Sequence, residues 1–222
     1  MRPFDAVIFD LDGVLADTAG AHFEAWRRLA AELGLDLPDA ANGRIKGVER
    51  MAALEVVLEG AGRAFAPEEK RALADRKNGF YQAVIDRMTP ADLLPGAAGA
   101  LAGARRAGLK VALASASRNA PLLLDRLGIA ACFDHVVDAG AVAHPKPAPD
   151  IFLAAALALG VAPSRCVGVE DSVAGLRAIR AAGMYAVGIG DPAELRLAHE
   201  VVPSVAGLDL ERLLSPVPHD GT

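Results

Sequence analysis

The amino-acid sequence predicts an α/β fold, a doubly wound parallel sheet with an inserted helical cap domain. Three observations predict it. Short apolar, β-branched runs recur along the chain and read as strands buried on both faces. After residue 109 these runs alternate with helical patterns closed by glycines, the order of a parallel sheet wound by crossover helices. Between the first run and all the others lies a long stretch with helical patterns and no convincing strand.

The first run, "AVIF" at 6–9, leads into "DLDG", which sets Asp10 and Asp12 one leucine apart at a strand end. Like charges that close raise each other's cost of ionising. A third party is therefore expected: a divalent cation, or a reaction that needs one ionised and one protonated carboxyl. The helical stretch follows. Phe23, Trp26, Ala30 and Leu33 share one helix face, and Met51, Leu54, Leu58 and Ala61 share a second. Pro67 opens a third helix, expected to bury Leu73, Phe80, Val84 and Met88. An insertion there sits above the carboxyl end of the first strand, where such sheets bind ligands. "TPADLLPGA" at 89–97 reads as the return linker, paired with a first linker near Ala16 and Asp17. The expected domains are a first core segment at 1–16, a helical cap at 17–88 and a second core segment at 89–222. The remaining strands are "KVALA" (110–114), "HVV" (135–137), "CVGV" (166–169) and "YAVGI" (185–189). Asn119 can cap a helix ending at Gly128, Pro149 can start one ending at Gly160, and Gly183 can close another. The tail from Ser215 has nothing to bury and is expected to be mobile.

The 222 residues allow a sizeable core, and the formal net charge of -5 argues against nucleic acid or an anionic membrane surface as the partner. Cys132 and Cys166 belong to no CxxC pair and read as reduced core thiols. The chain enters its first strand too early to leave room for a signal peptide, and no apolar run reaches spanning length; the expectation is a cytoplasmic protein.

Four loops that follow strands carry groups suited to phosphate chemistry: Asp10 and Asp12, then Ser115 and Ser117, then Lys146, then Glu170 and Asp171. Singly, each has an ordinary reading as a turn, a helix cap or a solvated charge. If the strands are neighbours in one parallel sheet, however, all four loops open on one edge. Oxygen ligands at that density, without histidine or thiolate, suit Mg²⁺. One aspartate can then be a nucleophile toward phosphorus while the other exchanges protons with the substrate oxygen. Lys146 and the Ser115 hydroxyl would hold the phosphoryl charge.

Together, "DLDGVLADT", "ALASAS", "KPAPD" and "GVEDSVAGL" resemble the four motifs of the haloacid dehalogenase superfamily of phosphotransferases. The inserted helices resemble those of the β-phosphoglucomutase family through "HFEAW" (22–26), "KGVER" (46–50) and "RKN" (76–78), and "TPAD" (89–92) stands where that family has "SPAD". The resemblance implies Asp10 as nucleophile and Asp12 as acid/base. It implies Mg²⁺ held by Asp10, the Asp12 backbone carbonyl, Glu170 and Asp171, and the transferring phosphate held by Ser115 and Lys146. Arg50, Ser117 and Asn119 match residues that hold the non-transferring phosphate, with Ala116 counted beside them. His22, Trp26, Lys46, Gly47 and Val48 match cap positions that sense the sugar. The implied reaction interconverts β-glucose 1-phosphate and glucose 6-phosphate, with β-glucose 1,6-bisphosphate as activator and intermediate; the alternatives are a sugar-phosphate phosphatase on the same core motifs and a catalytically silent binding module. The implied partners are small-molecule sugar phosphates, with no nucleic acid and no membrane, and the chain is read as a monomer.

Two stretches depart from the family pattern: alanines just after "KGVERM", and "AHPKPAPD" in place of a small-residue run. On a helix, Lys46 and Arg50 would face together, cations suited to a bisphosphate. Glu24, Arg27, Arg28 and Glu32 read as a solvated face.

Overall fold

A computed structural model describes residues 3–214; the predicted mobile tail lies outside the described residues. In chain order the elements are β1 (Ala6–Phe9), α1 (Ala19–Glu32), α2 (Asn42–Ile45), α3 (Arg50–Leu58), α4 (Pro67–Ile85), α5 (Ala97–Arg106), β2 (Lys110–Leu113), α6 (Ala120–Leu127), β3 (His135–Val136), α7 (Asp150–Leu159), β4 (Cys166–Glu170), α8 (Val173–Ala181), β5 (Tyr185–Ile189), β6 (Glu200–Val202) and α9 (Leu210–Leu214). The strands form one parallel sheet in the order β3-β2-β1-β4-β5-β6. Phe9 is in register with Leu113 on one side and Val169 on the other, so the loops after β1, β2 and β4 leave at one level.

The apolar runs alternate between two cores because successive strand side chains point to opposite faces. Val7, Phe9, Val111, Leu113, Val167 and Val169 pack on one side with the apolar residues of α5 and α6. Ala6, Ile8, Ala112 and Cys166 pack on the other with those of α7 and α8. The helices between β1 and α5 have an apolar cluster of their own, including Phe23, Trp26, Leu29, Leu54 and Leu58. Where the chain leaves and returns, Ala16 bridges Leu93, and the Leu94 amide donates to the Leu15 carbonyl at 2.9 Å. No helix of the described residues is long and apolar enough to cross a membrane.

Four local expectations are corrected. The buried stripe of α4 is Ala74, Lys77, Tyr81 and Ile85, about one position round from the predicted one, and Val84 is 44% exposed. The helix turns inward a face carrying an ammonium and a phenol, which an apolar count cannot select. Lys46 and Arg50 do not share a helix: Gly47, at φ +72°, follows α2, and the Glu49 carboxylate caps α3 by accepting from the Met51 and Ala52 amides. β6 had no counterpart in the prediction because three residues make too short an apolar run. Cys132 is half-buried rather than in the core proper.

Candidate active site

The first group of acids is fixed by the turn after β1. The Asp10 amide donates to the Val169 carbonyl at 2.9 Å, and the amides of Val14, Leu15 and Ala16 all converge on the Leu11 carbonyl. Gly13 makes this turn possible at φ +84°, and a Cβ there would lie 1.8 Å from Asp171 Oδ2. Gly13→Ala is therefore expected to cost about 1–2 kcal/mol in backbone strain alone and to push Asp171 from its place. Thermal unfolding and a divalent-metal titration would check this, and a variant normal in both would contradict it.

The four loops meet at this edge. Lys146 is fully buried, its Nζ 2.6 Å from Asp10 Oδ1 and 3.1 Å from Glu170 Oε2. Ser172 Oγ donates to Glu170 Oε1 at 2.5 Å and accepts from the Gly175 amide, capping α8. Ligand oxygens of Asp10, Glu170 and Asp171 lie within 4.8 Å of one another. Burial, then the Asp10 charge, push the Glu170 carboxyl up to about 8. Burial pushes Asp171 up to about 7, against the opposing pull of Lys46. A buried, oxygen-only donor set whose members resist ionising together fits a hard divalent cation. Lys46, expected at the sugar, lines the cleft and also places Nζ 2.8 Å from Asp171 Oδ2. Gly47 follows it closely: a Cβ there would lie 2.2 Å from Ser172 Oγ. The turn that carries these two residues thus rests on the acidic loop.

Asp12 faces the other way, toward the inserted helices. Its Oδ1 accepts from Thr18 Oγ1 at 2.5 Å and Tyr81 OH at 3.1 Å, and His22 Nε2 stands 3.5 Å away. Its Oδ2 is 3.4 Å from Ser115 Oγ, whose oxygen accepts from the Ser117 amide. Burial opposes ionisation of Asp12, but the His22 charge and the hydrogen bonds of His22, Thr18 and Tyr81 outweigh it and hold the carboxyl well below its usual range. Behind His22, Lys77 Nζ lies 2.7 Å from Nδ1 and 4.7 Å from the Trp26 ring centroid. One proton lies between Lys77 Nζ and His22 Nδ1, and whichever of the two holds it, Nε2 carries the ring proton that faces Asp12. Burial, then the Arg50 charge, bring Lys77 down to about 7.

Between these groups and the helices lies a narrow cleft of about 70 Å³. Its lining includes Asp10, Asp12, His22, Trp26, Lys46, Gly47, Val48, Arg50, Ala116 and Ser117. Asn119 is not on that surface: it is 8% exposed, and its amide is bound to Asn78 and Gln82 instead of capping α6.

Five residues escaped the sequence reading of individual roles: Thr18, Lys77, Asn78, Tyr81 and Arg118. Lys77 and Asn78 belong to the quoted "RKN", and a lysine in the middle of a buried stripe is the signal that could have singled it out. Arg118 lines the cleft beside Arg50, whose pKa is lowered by burial and then by the Arg118 charge. Two cations that close suit a dianion between them.

Among known proteins, the model of the haloacid dehalogenase-like hydrolase family matches residues 4–183. The chain belongs to this family. Within the haloacid dehalogenase-like proteins, it is similar to the β-phosphoglucomutase of Bacillus subtilis (strain 168), with 45% identity over 94% of this chain and 93% of that protein. The crystal structure of a β-phosphoglucomutase from Clostridium difficile superimposes with a TM-score of 0.90 and 42% identity, covering 95% of each chain. The fructose-1-phosphate phosphatase of Escherichia coli (strain K12) is 35% identical over 84% of this chain and 96% of its own length.

Proposed function

We propose that the chain is an intramolecular phosphotransferase, a phosphomutase of the isomerase class, that interconverts β-D-glucose 1-phosphate and glucose 6-phosphate. The observation that carries this reading is the origin of Asp12's partners: His22 and Tyr81 come from the inserted helices and Thr18 from the segment leading into them. A proton-transfer group tied to the cap is competent only when the cap is in place. A bound sugar can set that condition; water cannot.

Residues 17–88 then act as the cap, and 1–16 with 89–222 as the core. Asp10 is the nucleophile: a carboxylate oxygen bonds to phosphorus as the bond from phosphorus to the donor oxygen breaks. Lys146 and Ser115 balance the charge of the moving phosphoryl group. In the other half, a sugar hydroxyl attacks phospho-Asp10, the bond from phosphorus to the Asp10 oxygen breaks and the hydroxyl proton passes to Asp12, which returns it to the departing sugar oxygen when Asp10 takes the phosphoryl group back. Thr18, Tyr81 and His22 crowd Oδ1, so Oδ2, on the Ser115 side, is the oxygen left to exchange the proton. Held low in pKa, Asp12 starts as a base; it becomes an acid by keeping the proton it has taken. β-Glucose 1,6-bisphosphate is the intermediate and activator, its distal phosphate facing Arg50, Arg118 and Ser117.

Asp10, the Asp12 carbonyl, Glu170 and Asp171 would hold Mg²⁺, which when bound supplies charge neutralisation between the nucleophile and the phosphoryl oxygens. Because Lys46 shares Asp171, Lys46→Ala is expected to tighten Mg²⁺ binding several-fold, since a like charge is removed from beside the cation. Calorimetric titration checks it; unchanged or weaker binding would show that Lys46 supports the metal rather than opposing it. Small-molecule sugar phosphates are, on this reading, the partners of a cytoplasmic monomer. The testing assay follows β-glucose 1-phosphate, primed with bisphosphate, for glucose 6-phosphate against released inorganic phosphate. Isomer without phosphate is the mutase result, and stoichiometric phosphate the phosphatase result.

A further inference from the structure

One oxygen joins the two parts of the molecule beside the distal-phosphate cations. Asn78 Oδ1, on α4, accepts from Arg50 Nη2 at 2.8 Å and from Asn119 Nδ2 at 2.8 Å. Arg50 starts α3 among the inserted helices, and Asn119 precedes α6 on the sheet domain. Gln82 lies one turn along α4 from Asn78, on the same face, and its Nε2 donates to Asn119 Oδ1 at 3.3 Å. Asn119 stands at the N-cap position of α6 yet makes no side-chain cap bond. Its amide, 8% exposed, is instead satisfied at both ends by α4.

The chemistry of the shared acceptor matters. Arg50 is half-buried near Arg118, with the Asp75 carboxylate 3.8 Å away and the Glu49 charge also acting on it. A neutral amide oxygen orients a guanidinium without neutralising it, so Asn78 adds no charge that competes with an anion. A carboxylate in that place would compete with the anion.

We propose that Asn78 is a positioning residue that ties Arg50 to Asn119, so that docking of the inserted helices and capture of a second, non-reacting phosphate are one event. The ligand class is a sugar bisphosphate, or a monophosphate bound with its phosphate away from Asp10. This rests on the reading of Arg50 as a distal-phosphate group. It gives the molecule a way to favour substrates with that phosphate by closing around it, separate from the Asp12 contacts.

The test measures β-glucose 1,6-bisphosphate affinity by calorimetry in an Asp10→Asn background, and phosphorylation of the Asp10 enzyme by acetyl phosphate, a donor with no distal group. Asn78→Ala is expected to weaken the bisphosphate about tenfold and to leave acetyl phosphate reactivity unchanged. Asn78→Asp keeps the size and should fold even if the alanine variant does not. It is expected to weaken the bisphosphate at least as much, because its charge engages Arg50. In a double-mutant cycle, Arg50→Ala and Asn119→Ala should be coupled when Asn78 is present and additive in Asn78→Ala. Unchanged bisphosphate affinity in both Asn78 variants, while Arg50→Ala weakens it, overturns the proposal alone. Equal loss of both readouts, with lowered thermal stability, also overturns it, leaving a merely structural residue. If Arg50→Ala itself changes nothing, the distal-phosphate reading falls and the proposal with it.

Discussion

Asp10→Asn is expected to fold and to accept no phosphate at all. An amide is not a competent nucleophile toward phosphorus, and it is a poorer ligand for a hard cation. The fold should persist because Lys146 keeps Glu170 at 3.1 Å when Asp10 loses its charge. Burial raises the Asp10 pKa and so penalises its charged form; a neutral amide removes that penalty and the repulsion from Asp12, but also the 2.6 Å ion pair with Lys146. Because these oppose, thermal stability measured without metal should stay close to that of the parent. Mass spectrometry after incubation with a small phosphate donor checks the chemistry, and a retained phosphoenzyme would move the nucleophile elsewhere.

Asp12→Ala should retain phosphorylation by a donor with a good leaving group and lose sugar-phosphate turnover by roughly two to four powers of ten, the usual share of general acid/base catalysis. The pH dependence separates Asp12 from its supports. Its carboxyl is held below the ordinary carboxylate value, so it stays ionised as pH falls through 4, and the acid limb of the sugar-dependent step should lie lower still. On the alkaline side, Lys77 sits at about 7. As pH rises through that value the ammonium is lost, His22 Nδ1 loses its donor, and the sugar-dependent step should decline. In Lys77→Met that alkaline limb should vanish from the profile, with the rate low throughout. A limb that persists near 7 in Lys77→Met would assign it to another group.

The sheet was legible because parallel strands buried on both faces leave near-continuous apolar runs, and "AVIF", "KVALA" and "CVGV" announce β1, β2 and β4. Their common register then carries Asp10, Ser115 and Glu170 to one edge, a consequence of topology that spacing alone could anticipate. What could not be read from periodicity was the inner face of α4. Its stripe, Ala74, Lys77, Tyr81 and Ile85, mixes a small residue, a cation and a phenol, while Leu73, Phe80 and Val84 look more apolar. Lys77 is buried because it hydrogen-bonds with His22 and two aromatic rings stand beside it, partners remote in sequence. Lys46 and Asn119 were singled out, but their contacts with Asp171, Asn78 and Gln82 cross between segments far apart in the chain. Residue type marked them; only packing gives their partners.

The most direct measurement is the fate of the phosphoenzyme. Load Asp10 with phosphate from a small donor, remove the donor, and follow phosphate loss in water alone, with β-glucose 1-phosphate, and with the α anomer. Cap-dependent competence of Asp12 predicts slow loss to water, a large acceleration by the β anomer with sugar bisphosphate as product, and little effect of the α anomer. Rapid loss as inorganic phosphate, at one rate whatever sugar is present, would contradict it and make the enzyme a phosphatase.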